Sequence, residues 1–191
     1  MRIPSIAVAV AIALPLALLV PVDVGAADWA IDTGASFVTF AYREDGQVRT
    51  GRFDKIDPQL MLDPDDLGKT RGVLGVSVVS LDLGDAMRET ILATKPWLDA
   101  ENHPTASFVV ERFEMGDQPG RATAIGRLEI KGVSLPLSVP VAIMRQGGRA
   151  TATGALRFDR LDYGLRDAFV ESLVSIADEI VLDFEIVANR R

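Results

Sequence analysis

The chain has 191 residues, with 20 lysines and arginines against 27 acids, one histidine and no cysteine. That length suits one domain whose core needs no staples, and the missing cysteines remove both disulfides and thiolate metal sites. The net charge of −7 argues against nucleic-acid phosphates as partners, and against electrostatic docking on anionic lipid.

Residues 1–27 read as a signal peptide. Arg2 precedes an apolar run over 3–22, broken by Pro4, Pro15 and Pro21, and small residues follow at Gly25, Ala26 and Ala27. The run is also near the length that spans a bilayer, so a retained anchor is the competing reading. The prolines and the small-residue exit favour cleavage near residue 26 or 27. No cysteine follows the run, which excludes a lipoprotein anchor. The expected mature domain is 28–191, exported to the periplasm or secreted, and losing Arg2 and Asp23 leaves its net charge at −7.

From there the pattern is period-two alternation, the mark of half-buried strands. A short strand is expected over 28–32. Residues 36–42 set Val38, Phe40 and Tyr42 against Phe37, Thr39 and Ala41, and the Glu44-Asp45-Gly46 turn leads to a partner over 48–53. An edge strand is expected over 59–62 and a longer one over 72–82. Residues 85–94 form the one helical candidate, with Asp85 as N-cap and Met87, Ile91 and Leu92 at helical spacing. Pro96 ends it, and Trp97-Leu98 follow as an apolar plug. Strands are then expected over 105–113, 121–131, 136–145, 151–159 and 179–187, with 161–169 ambiguous and 173–176 a short apolar piece. Within this series, 124–143 is a hairpin broken at Lys131-Gly132-Val133-Ser134. Eight substantial antiparallel strands with one inserted helix predict an all-β barrel or sandwich.

No catalytic or metal motif stands out. Gly68-Lys69-Thr70 ends like a phosphate loop, but Asp63 occupies the position of its first glycine and a strand follows. The acids at 63–66 lack a bidentate glutamate at the twelfth position of a calcium loop, which is Leu74. His103, the only histidine, precedes Pro104 in a turn and has no Gly-x-Ser-x-Gly partner. The carboxylates fall in turns or on the polar phases of strands. What remains is apolar: Phe40, Leu74, Val76, Phe108, Val110, Leu128, Ile130, Val139, Leu156, Phe158, Leu182 and Phe184 share inward phases, and Tyr42 joins Phe40 on its face. Alternation alone favours a filled interior, although eight-stranded barrels are also the size that holds one ligand.

Several segments together resemble the YceI-like family of exported isoprenoid-binding proteins. Trp29-Ala30-Ile31-Asp32 with Ser36-Phe37-Val38-Thr39-Phe40 is similar to its opening, and Gly51-Arg52-Phe53-Asp54 to its Gly-x-Phe element. Asp99, Pro104, Ala106 and Phe108 follow the helix and plug in the family's order. Gly126-Arg127-Leu128-Glu129-Ile130-Lys131-Gly132-Val133, then Leu135-Pro136-Leu137, resembles its most distinctive stretch. The chain departs at Gly34-Ala35-Ser36, where the family often carries a histidine before the serine. The resemblance implies an antiparallel eight-stranded lipocalin-like barrel, with a polyisoprenoid or isoprenoid quinone in its lumen and the thirteen residues above as lining. It implies no cofactor and no catalysis. It also implies a membrane cytochrome of the b561 type as a partner. An enzyme acting on a bound lipid, and an accessory module for such a cytochrome, are the alternatives.

Overall fold

The computed structural model describes residues 29–61, 63, 64 and 66–191; the signal-peptide reading of 1–27 lies outside the described residues. Eleven strands follow in order: β1 (Trp29–Ile31), β2 (Phe37–Glu44), β3 (Gln47–Phe53), β4 (Ile56–Met61), β5 (Arg71–Ser77), β6 (Leu81–Asp82), β7 (Thr105–Met115), β8 (Arg121–Ile130), β9 (Val133–Gln146), β10 (Arg149–Asp159) and β11 (Glu179–Arg190). Helix α1 (Ala86–Ala93) lies between β6 and β7, and a second, short α2 (Ala168–Glu171) between β10 and β11. All strands join one curled antiparallel sheet in the order β4-β5-β7-β8-β9-β10-β11-β2-β3-β6, with β1 on β11.

The strand count exceeds the expected eight, and a bend explains most of the excess. β3 continues through Asp54 and Lys55 into β4, and β5 continues through a 3-10 turn, Val78–Ser80, into β6. Pairing persists around this corner. Phe53 faces Leu81, the Asp54 N–H donates to Ser80 O, the Ser77 N–H donates to Lys55 O, and Ile56 faces Val76. Two long strands, each bent once, therefore count as four. Together they join β2 on one side to β7 on the other, so the sheet curls back on itself as a lipocalin-like barrel does. The remaining strand beyond eight is β1, where the sequence predicts the short opening strand over 28–32.

The β8–β9 turn is tighter than expected. Val133 already pairs with Ile130 and Ser134 with Glu129, so only Lys131 and Gly132 turn the chain, at φ of 51° and 76°. Two successive left-handed residues make the type I′ turn whose twist matches the strands it joins. Lys131 Nζ donates to the carbonyls of Pro96 and Gly164, both at 3.0 Å, which ties the turn to the loops beyond α1 and before α2. Burial there pushes the Lys131 pKa down. Arg166 N–H donates to Pro96 O, joining those same two loops.

Candidate ligand-binding cavity

Leu128, Ile130, Val139, Val141 and Leu156 form the core cluster with Trp97, Tyr163 and Leu165. All but Tyr163 line a hollow, and the interior is not filled. A cavity of about 540 Å³ runs through the barrel, within the range of roughly 300–1,000 Å³ usual for small-molecule sites. Phe40, Tyr42, Leu74, Val76, Phe108, Val110, Leu128, Ile130, Val139, Leu156, Phe158, Leu182 and Phe184 all line this one cavity.

Three of the lining phenylalanines lie flat because a glycine stands beside them. Phe40 pairs with Gly51, and Phe184 with Gly154; a Cβ on either glycine would come within 2.5 Å of the ring. Phe108 lies beside Gly126 in the same manner, at 2.9 Å. A ring seated on a glycine covers backbone and does not project into the lumen. Phe40 and Phe53 add a tilted ring contact at 5.5 Å between centroids.

Alternation does not reveal the rest of the lining. A bulge at Val110–Arg112 shifts the register of β7 against β8, so Ala106, Phe108 and Val110 are followed inward by Phe113, out of step by one residue. Ile91 and Leu92 of α1, the plug residues Trp97 and Leu98, and Leu165, Val170 and Ile176 close the cavity from one end. These arrive through long-range packing and carry no strand period.

Polar groups gather at that covered end. Glu44 continues the inward phase of Val38, Phe40 and Tyr42, and is only 7% exposed. Its reading as a solvated turn residue is therefore corrected: the i+2 phase, not residue type, decides its direction. Arg88 of α1 clamps it, with Nη2 donating to Oε1 at 2.7 Å and Nε to Oε2 at 3.2 Å. Arg88 also pairs with Asp85, which caps α1 by accepting from the Met87 and Arg88 N–H groups. Arg49 approaches Glu44 at 3.5 Å, and the Tyr42 hydroxyl donates to Oε2 at 3.4 Å. The Arg88 hydrogen bond holds the Glu44 carboxyl below its ordinary pKa, against the opposing effect of burial. Burial first, then the Glu44 charge, pushes the Tyr42 phenol up.

The 160–178 segment, which contains the ambiguous 161–169 and the short apolar piece 173–176, is organised by one buried cation. Arg160 is 4% exposed. Its Nε donates to Ala177 O, Nη1 to Leu165 O and Glu171 Oε1, and Nη2 to Ile176 O and Asp178 Oδ1, all between 2.6 and 3.1 Å. The guanidinium also stands 5.7 Å from the centre of the Trp97 ring. His103 lies apart from the cavity lining, with its ring against Gly132. Among the described residues no group of His, Cys, Asp and Glu is placed to hold a metal ion.

A cavity of this form can enclose an elongated apolar molecule and present hydrogen-bonding groups to one end of it. Comparison with known proteins gives the same architecture. The chain is similar to the crystal structure of BcnA from Burkholderia cenocepacia, with 27% identity, a TM-score of 0.76, and coverage of 83% of this chain and 99% of that one. It shares its fold with a polyisoprenoid-binding domain from Saccharophagus degradans, at 16% identity and a TM-score of 0.69, covering 86% and 99% of the two chains. A UPF0312 protein of Vibrio cholerae is 25% identical over 167 residues, 82% of this chain and 87% of the relative. The YceI-like domain model matches residues 29–188, and the chain belongs to that family.

Proposed function

We propose that the protein is a non-enzymatic carrier or reservoir for a polyisoprenoid lipid in the periplasm, with an isoprenoid quinone as the cargo. The observation that carries this reading is the cavity of about 540 Å³, whose lining is apolar apart from Ser107, Arg160 and the cluster where Tyr42, Glu44, Asp85 and Arg88 meet. Such a wall gains about 25 cal/mol per Å² of apolar surface taken from water, and needs no reactive group to do so. An eight-residue strand is about 26 Å long, enough to run beside several isoprene units. The family match and the polyisoprenoid-binding relative of the same fold support the lipid class. The polar end supports a quinone: Arg88 keeps N–H donors beyond those it gives to Glu44 and Asp85, which can serve a carbonyl head group, whereas Glu44 and Asp85 disfavour an anionic one. A membrane cytochrome of the b561 type is the exchange partner this cargo calls for.

Catalysis on a bound lipid is the weaker reading. His103 is outside the cavity lining, and the raised pKa of Tyr42 makes it a poor base at neutral pH. The test is mass spectrometry of lipid extracted from protein purified without denaturant. A prenyl lipid is expected at near-stoichiometric amount, reduced in Leu128→Trp, which narrows the lumen while circular dichroism reports a retained sheet. Native protein without any extractable prenyl lipid would sink the proposal.

A further inference from the structure

Three large apolar side chains stand exposed at the mouth of the cavity. Met87 on α1 is 75% exposed, Phe169 on α2 is 72% and Leu173, just beyond it, is 67%, and all three also line the cavity. Their exposure is not a packing need of the helix, because Ile91 and Leu92 of α1 already turn inward. The two segments converge on the end of β2. Arg88, beside Met87, holds the Glu44 carboxylate, while the Glu44 backbone bridges to Ile176 and the Asp45 N–H donates to Ser175 O. The three side chains thus form a rim continuous with the lumen wall.

We propose that this rim is a membrane-docking portal: Met87, Phe169 and Leu173 dip into an electrically neutral phospholipid surface, and cargo passes between bilayer and lumen without crossing water. The inference rests on the carrier reading above and adds the surface from which the lumen is loaded. Two observations select the occupant. The rim is the cavity's own lining turned outward, so what it touches is the medium in which an apolar cargo already dissolves. Around it Asp85 and Glu171 are neutralised by Arg88, Arg160 and Arg166, and Glu89 and Asp167 remain as acids; in a chain of net charge −7 no excess of positive charge is left to hold anionic head groups, and a zwitterionic surface is the fitting one. Three side chains seated at the boundary between head groups and acyl chains give weak, reversible attachment, as a shuttle requires.

The test has two arms, both on the purified protein. In the first, protein freed of lipid is floated with phosphatidylcholine vesicles. Wild type is expected to float, and the triple variant Met87→Ser, Phe169→Ser, Leu173→Ser to partition about tenfold less, since each tenfold corresponds to about 1.4 kcal/mol of lost apolar burial. A control variant, Met115→Ser with Met144→Ser, alters exposed apolar residues outside the cavity lining and should float as wild type does. Adding anionic phosphatidylglycerol should weaken flotation. In the second arm, a fluorescent prenol is transferred from loaded protein to the same vesicles, at a rate expected to rise in proportion to vesicle concentration. Failure of wild type to float, or flotation of the triple variant at wild-type level, overturns the proposal. So does transfer that ignores vesicle concentration, or that proceeds only when a membrane protein is added, which would assign the rim to a protein partner. A protein that floats through this rim but binds no prenol leaves the portal standing and removes the carrier reading instead.

Discussion

Phe184 and Gly154 face each other across the β10–β11 ladder, and the phenyl ring lies over the glycine so closely that a Cβ there would sit 2.5 Å from Cζ. The same position also meets the Pro140 carbonyl at 2.6 Å, a backbone atom that cannot give way, so the ring must. Gly154→Val is expected to drive the ring into the lumen and to destabilise the fold by about 1–3 kcal/mol, the usual cost of overpacking. Urea denaturation should show the loss, and native mass spectrometry should show less bound prenyl lipid. A variant with the wild-type midpoint and full cargo would show that the glycine is dispensable.

The clamp between β2 and α1 has a defined response to acid. Glu44 titrates below its unfolded value of about 4.3, so its contribution is complete above that pH and disappears as the pH falls through the lower folded value. The groups facing it are Arg88, Arg49 and Tyr42, and the two arginines stay charged throughout. Glu171, held low by its hydrogen bond from Arg160, works in the same direction on α2. The protection of the α1 amides, taken relative to the intrinsic exchange rate at each pH, is expected to fall as the pH drops below about 4.3. In Glu44→Gln the amides of α1 should exchange faster at neutral pH and lose most of the acid step. An undiminished step in that variant would place the switch elsewhere.

Arg160 gathers carbonyls from 165 to 177 and two carboxylates around one fork, a geometry that an ammonium cannot reproduce. Arg160→Lys is expected to cost about 3 kcal/mol, in the range for breaking a buried ion pair. The loss should localise, so limited proteolysis should cut first between residues 164 and 178. Cleavage spread evenly over the barrel would mean that the cation supports the whole core and not this segment.

The sequence made the fold readable where alternation is regular. The Leu128–Ile130 and Val139–Val141 phases place their strands correctly, and Asp85 caps α1 as its residue type predicts. Where the backbone departs from two-residue periodicity, the signal fails. The bulge after Val110 turns Phe113 inward, and the bends at Asp54–Lys55 and Val78–Ser80 divide two strands into four. Glu44 was concealed by its charge, because a carboxylate before Asp-Gly reads as a turn, although its phase with Tyr42 pointed into the lumen. Trp97, Leu165 and Val170 reach the cavity only because Arg160 and Lys131 draw two loops over it, a contact between segments some thirty or more residues apart that no local window contains.

The pairing of β2 with β11, in which Phe40 meets Leu182 and Val38 meets Phe184, joins opposite ends of the chain. The β7-to-β10 meander can assemble from neighbouring hairpins, whereas this seam must wait for nearly the whole polypeptide, at the entropic cost of a long loop. Until it forms, the protein is an open trough. Refolding in the presence of a prenol is therefore expected to yield loaded protein faster than adding the same prenol to the finished barrel. Equal rates, measured by fluorescence of a labelled prenol, would speak against it. With the advantage present, the first filling of the lumen is a step in assembly: the lipid is laid into a channel and the seam is drawn shut over it.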